Sequence, residues 1–314
     1  MDGRNLYFRT CEGESERVIF QLGTSDPELA LKAAKVVEND VAGIDINMGC
    51  PKKFSVQGGM GAALLSNKKL ACDIVRNLKG NLSIPVTAKI RLLDAQNDTI
   101  DFVKGLEEAG ADAVTVHLRR RGTSPKNPAM WDELISLVEA VSIPIIANGD
   151  IYTREDMKTL KNVACCSSFM LARPALLNCS IFDKYCNLSP QGDVVKRYLG
   201  LCWRYNEYYK NAKYVVMEMI TTRRHPTHLH EKTKVQLSPS CPTRLEVSRA
   251  SSLLHLLNLW GLKDVANEIG REDKKTSDLK PINKYDDDFL LDDSDESADE
   301  NGTTTKNKRT KIVI

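Results

Sequence analysis

Five short clusters hold the residue types that can do chemistry. Asn47-Met48-Gly49-Cys50-Pro51 places a cysteine on the loop after an apolar segment, where a thiol serves as nucleophile, metal ligand or proton donor. A small buried hydrophobe is the plain alternative for Cys50. Lys89 and His117 each stand at or near the end of a β-branched run. A lysine aimed into an apolar interior is costly unless it meets an anion or takes part in a reaction. Asn148-Gly149-Asp150 and Ala172-Arg173-Pro174 offer backbone N–H groups and one guanidinium, the donor set that holds phosphate; an ordinary turn and a surface ion pair are the competing readings. Lys52, Lys53 and Arg119 to Arg121 add positive charge near these loops, either for phosphates of a polyanion or as a solvated rim. Gly58-Gly59-Met60-Gly61 lacks the full dinucleotide fingerprint and reads better as a tight turn into a helix.

The elements that must position these groups alternate. Six candidate strands, 18–22, 43–47, 86–91, 113–117, 144–147 and 168–171, are separated by segments of helical period. Asp26-Pro27 starts one helix with Leu29, Ala33, Val36 and Val37 as its apolar stripe. Ile100, Val103 and Leu106 mark a second, Trp131, Leu134, Ile135, Val138 and Val141 a third, and Thr153 to Asp156 forms a capping-box pattern that opens a fourth. Strand-then-helix repetition implies parallel strands joined by crossovers, buried on both faces. A doubly wound sheet concentrates its polar residues at one switch point, whereas a (β/α)8 barrel carries them after almost every strand. Gln21, Asn47, Cys50, Lys89, Arg91, His117, Arg119, Asn148 and Arg173 fall at nearly all six strand ends, which favours an α/β barrel with two strands fewer than eight.

The rhythm stops near residue 191. Tyr198, Leu201, Cys202, Tyr205, Tyr208 and Tyr209 recur at three-four spacing, so a smaller helical unit is expected to follow, interrupted by 223–242 and resumed over 245–269. The expected organisation is 1–190, 191–270 and a disordered tail, 271–314. Of the 314 residues, 42% are hydrophobic and 27% charged, and no apolar run approaches the ~18 residues of a membrane span. The net charge of +2 conceals an asymmetry: residues 286–300 hold nine acidic and no basic side chains, while residues 1–285 carry +7. Nine scattered cysteines without a C-x-x-C pair fit a reducing compartment and indicate neither a disulfide framework nor a metal site.

In order along the chain, NMGCP, GGMGAALL, AKIR, VHLR, ANGD and LARPAL resemble the tRNA-dihydrouridine synthases, most closely the eukaryotic cytosolic type acting on position 20 of tRNA. The resemblance runs from about Phe8 to Leu177 and continues loosely through YNEYYKNAKY. It implies an FMN-binding TIM barrel without its first two strands, followed by a helical tRNA-binding domain. It also implies that Gln21, Lys89, His117, Asn148, Gly149, Asp150, Ala172 and Arg173 contact FMN, that Cys50 is the general acid, and that Asn47 holds the uracil. Lys52, Lys53 and Arg119, basic residues near the mouth, are then candidates for the RNA phosphates, with a solvated rim as the alternative. The implied cycle passes hydride from NADPH to FMN and on to C6 of a flipped-out uracil, with Cys50 protonating C5. Leu118 departs from the family's H-G-R pattern. A cytoplasmic enzyme, with the nucleus as a second location, with tRNA and NADPH as partners and with no membrane association is the expectation. A free-pyrimidine flavin dehydrogenase and a catalytically silent RNA- or protein-binding relative are the alternatives.

Overall fold

The computed structural model describes residues 8–124, 126–183, 188–221, 240–264 and 311–312. Six parallel strands, β1 (Ile19–Gly23), β2 (Gly43–Asn47), β3 (Val86–Leu92), β4 (Ala113–Arg120), β5 (Ile145–Asn148) and β6 (Ser168–Met170), lie side by side in chain order. A two-residue strand, β7 (Lys311–Ile312), pairs antiparallel with the free edge of β1 through Gly23 and Leu22. The order never reverses, so the switch point of a doubly wound sheet is missing among the described residues. The strand boundaries fall within a few residues of those expected.

Helices α1 (Pro27–Val37), α2 (Lys53–Gln57), α3 (Lys68–Asn81), α4 (Gln96–Glu108), α5 (Leu134–Ala140), α6 (Arg154–Ala164) and α7 (Arg173–Leu177) occupy the connections. Asp26 caps α1 by accepting from the N–H groups of Glu28 and Leu29. Thr153 and Asp156 form the capping box of α6. The inward stripe of α1 differs from the expected one. Ala30, Ala34 and Val37 are buried and Val36 is exposed, because small alanines let the helix approach the sheet closely. Ile135 of α5 is likewise exposed.

Side-chain parity divides the sheet into two faces. Phe20, Leu22, Ile44, Ile46, Ala88, Ile90, Val114, Val116 and Ala147 pack with Ala34, Ile74, Leu78, Phe102, Leu106 and Leu137 in one core. The opposite face carries three rows set by the strand register. Gln21, Asp45, Thr87 and Ala113 form the first, Asn47, Lys89, Thr115, Ile146 and Ser168 the second, and Arg91, His117, Asn148 and Met170 the third. The expectation of burial on both faces holds for β2 and β4, whose residues are nearly all buried, and not for β3, which alternates buried and half-buried residues along its length.

A second core, of Val195, Leu199, Cys202, Val216, Leu256 and Trp260, joins α8 (Gln191–Arg204), α9 (Tyr209–Met219), α10 (Arg244–Arg249) and α11 (Leu253–Leu259). The expected single aromatic stripe breaks at Arg204, where α8 ends; Leu201 is exposed and Tyr208 precedes the start of α9. Arg9 bridges to Glu207 at 3.1 Å. Most of the interrupting segment and nearly all of the tail lie outside the described residues. No described helix is long and apolar enough to cross a membrane.

Candidate active site

The site forms where β2 to β5 end. Beyond β2 the chain turns back on Asn47, whose Oδ1 accepts from the N–H groups of Gly49 (3.1 Å) and Cys50 (3.0 Å). This Asx turn holds Cys50, which is half-buried, above the polar face. The loop is closed from the other side by Ala62 N–H donating to the Cys50 carbonyl at 3.0 Å. Gly61 makes that approach possible with φ +58: a Cβ there would stand 2.7 Å from the Cys50 carbonyl oxygen and run into Ser55 Oγ. Arg91 Nε donates to the Gly49 carbonyl at 2.8 Å, tying β3 to the same turn.

Lys89, Arg91 and His117 converge on one side without an equal number of carboxylates. Burial pushes the Lys89 ammonium below its ordinary value, the Arg91 charge adds to the effect, and Asp45 and Cys50 offset part of it. His117 is driven down to about 3, by burial first and then by the charges of Arg91, Lys89 and Arg119. The Arg119 Nη1 to His117 Nε2 distance is 3.3 Å. A guanidinium only donates, so Nε2 is the acceptor and the neutral ring keeps its proton on Nδ1.

Asp150 organises the third group. It adopts φ +54, a left-handed conformation that aspartate tolerates, directly after Gly149 at φ +117. Its carboxylate accepts from Arg119 Nη2 at 2.5 Å, from Ala129 N–H at 2.8 Å and from Arg173 Nη2 at 3.2 Å. Burial alone would raise the carboxyl, but these donors and the two guanidinium charges hold it below the usual carboxylate range. Arg173 is further set by the Tyr152 ring, 5.5 Å from its guanidinium carbon. Trp131 Nε1 donates to the Gly149 carbonyl at 2.9 Å, and Asn148 Nδ2 donates to the Met170 carbonyl at 2.8 Å.

The structure thus brings Gln21, Asn47, Cys50, Lys89, His117, Asn148, Gly149, Asp150 and Arg173 to one end and one face of the sheet, with Ala172 exposed beside Arg173. Lys52 and Lys53 are exposed on the Cys50 loop. Arg119 does not fit a rim position. It is 1% exposed, and its guanidinium is spent on Asp150, His117 and the Asn127 carbonyl. The cause is a register shift: Arg91 pairs with His117 and Leu92 with Arg120, so the ladder skips Leu118 and Arg119. Leu118, the departure from H-G-R, packs in the core with the helices. Arg120 is tied to Glu133 (2.5 Å) and to the Asp94 carbonyl, which leaves exposed Arg121 as the outward member of the run. Asp150 meets Arg173 through its side chain, so its carboxylate positions a cation instead of facing an anion.

Asp45, Thr87 and Tyr152 carry much of this geometry and were missed as site residues. Asp45 was detectable: it is a carboxylate two residues before Asn47 in an otherwise apolar strand, and so shares its face.

Six parallel strands in unreversed order, with Lys89, Arg91 and His117 on one face and a cysteine loop at the carboxyl end, make this an α/β fold of the class whose ligand sites form at strand ends. A model of the Dihydrouridine synthase (Dus) family matches residues 3–236, and the chain belongs to that family. Among curated proteins it is 36% identical over 222 residues to the tRNA-dihydrouridine(20) synthase [NAD(P)+] of Schizosaccharomyces pombe, covering 68% of this chain and 46% of that protein. It is 34% identical to the Saccharomyces cerevisiae protein of the same name, covering 68% and 60%. The human tRNA-dihydrouridine(20a/20b) synthase [NAD(P)+]-like is 31% identical over 70% of each chain. This chain therefore matches about half the length of the two yeast relatives.

Proposed function

We propose that this chain is the catalytic part of an FMN- and NADPH-dependent tRNA-dihydrouridine synthase that reduces a D-loop uridine, at position 20, to 5,6-dihydrouridine. The six βα units are read as consecutive units of an eight-fold barrel, since their order is unreversed and their helices pack on one face. The observation that carries the reading is the surplus of donors on the opposite face. Among the described residues the Lys89 ammonium makes no hydrogen bond, and burial first, then the charges of Arg91, Lys89 and Arg119, suppress the His117 proton. Such a surface fits an anionic ligand, and Arg173 with the Asn148–Gly149 turn fits its phosphate. When bound, FMN reduced by NADPH supplies the hydride for C6 of the uracil.

The chain's own residues do the rest. Lys89 stabilises the enolate-like charge that develops on the base, and Cys50 gives its thiol proton to C5. Asn47 spends its carbonyl on the Cys50 turn, so one amide hydrogen is left to donate to the uracil. The uridine must leave its stack to reach this depth. Exposed Lys52, Lys53 and Arg121 are suited to the RNA backbone near it. The relatives' names support tRNA as substrate and NAD(P) as redox partner. A cytoplasmic, and also nuclear, location belongs to the same reading.

Expression in cells that lack dihydrouridine at tRNA position 20 tests it. The modification should reappear by mass spectrometry with this chain and not with Cys50→Ala. Dihydrouridine absent with both, or equal with both, overturns the assignment.

A further inference from the structure

The mechanism leaves one buried charge without a task. Asp45 is 5% exposed on the polar face of β2, where an uncharged side chain would cost less. Its Oδ1 accepts from Thr87 Oγ1 at 2.7 Å and its Oδ2 from Gln21 Nε2 at 2.7 Å. Gln21 Oε1 accepts from Asn47 Nδ2 at 2.9 Å, and Asn47 Oδ1 in turn accepts the Gly49 and Cys50 N–H groups.

The polarity of this chain of bonds is forced at both ends. Burial pushes the Asp45 carboxyl up, while the bonds from Gln21 and Thr87 and the Lys89 charge favour its ionised form. As a carboxylate it only accepts, so Gln21 turns its NH₂ toward Asp45 and its carbonyl toward Asn47. Asn47 must then present its NH₂ to Gln21, which leaves its carbonyl for the two backbone donors of the turn. Backbone N–H groups only donate, so no other orientation of either amide satisfies every member. A neutral amide at position 45 would not impose this: it could meet Gln21 with either end, and the constraint on the loop would be lost.

We propose that Asp45 is the positioning residue of the Cys50 loop, fixing the orientation of the Gln21 and Asn47 amides and through them the backbone of Gly49 and Cys50. This deepens the reading of Cys50 as the acid and rests on it for its consequence in catalysis. The geometric claim stands apart from it.

The test is therefore read on the cysteine itself. Iodoacetamide alkylation of each cysteine is followed by peptide mass spectrometry in the intact chain, with exposed Cys165 and Cys179 as internal references. In Asp45→Asn the amide can meet Gln21 with its NH₂ or, with Thr87 Oγ1 accepting instead of donating, with its oxygen. Gln21 is then no longer held one way round, and arrangements in which Asn47 turns its carbonyl away from the Gly49 and Cys50 N–H groups gain population. Loss of one of the two Asn47 Oδ1 bonds to the turn corresponds to about a two- to tenfold faster reaction of Cys50, with the references unchanged. Combining D45N with Gln21→Glu restores the polarity, because a carboxylate at position 21 accepts from both amide neighbours, and should return Cys50 to the wild-type rate. Gln21→Met cuts the relay without altering Asp45 and should accelerate Cys50 as D45N does, which decides the matter if D45N fails to fold. Cys50 unchanged in Gln21→Met, or no recovery in the double variant relative to D45N, overturns the proposal. Accelerated and rescued alkylation with unaltered dihydrouridine formation would instead keep the relay and remove Cys50 from the acid role.

Discussion

Asp150→Asn isolates the charge at the centre of the site. Asparagine has the same shape and tolerates the left-handed φ of +54, so neither packing nor backbone strain changes. What changes is the partner of Arg119, a guanidinium 1% exposed with Asp150 Oδ2 at 2.5 Å. Leaving one member of a buried pair uncompensated costs about 3–5 kcal/mol. The second pair, to Arg173 at 3.2 Å, adds little, since that side chain is 31% exposed and its interaction is screened. The loss is a large share of the roughly 5–15 kcal/mol that holds a domain together, so a clear fall in urea midpoint is expected at pH 7. The carboxyl is depressed in the folded state, so its contribution is complete above its unfolded value near ~4 and is lost as pH falls through the lower folded value. The difference between wild type and D150N should shrink correspondingly in acid. A difference below about 1 kcal/mol at pH 7, or one independent of pH, would refute the assignment of Asp150 as the counter-ion of a buried arginine.

Three further outcomes follow from the same geometry. His117 should remain neutral by NMR down to about pH 3, while the unfolded chain takes up its proton near ~6.5, so stability declines as pH falls through that interval; phosphate or FMN should raise the His117 value by supplying the missing anion. Gly61→Ala should lower stability by at least about 1–2 kcal/mol from the left-handed backbone alone and should displace the Cys50 loop, visible as an altered alkylation rate; unchanged values for both contradict the close approach to the Cys50 carbonyl. Asp26→Ala should cost about 0.5–2 kcal/mol in chemical denaturation through loss of the α1 cap, with no effect on Cys50 reactivity.

The strands were legible because each falls on a short run rich in apolar residues, β-branched in β2 to β5, and α1 and α6 because Asp26-Pro27 and Thr153 to Asp156 carry their caps locally. Which side of α1 faces the sheet was not legible: Val36 is more apolar than Ala30, yet close packing selects the smaller side chain, and that choice is made by the partner strand. Arg119 was misjudged for a similar reason. Alternation along β4 gives no hint of a register shift that depends on β3, nor of a carboxylate waiting 31 residues further on. Cys50, Lys89, His117 and Arg173 could be singled out as residue types at strand ends. Their convergence on one face required the register of five strands, which is a long-range property of the sheet.

The central claim is that the cationic face binds a flavin by its phosphate. Titration of the purified chain with FMN, followed by flavin absorbance and fluorescence, tests it when riboflavin is run in parallel and Arg173→Met is the variant. FMN should bind more tightly than riboflavin, and the preference should fall in R173M while riboflavin binding stays the same. Equal affinity for the two flavins, or no binding of either by the folded chain, would contradict the account.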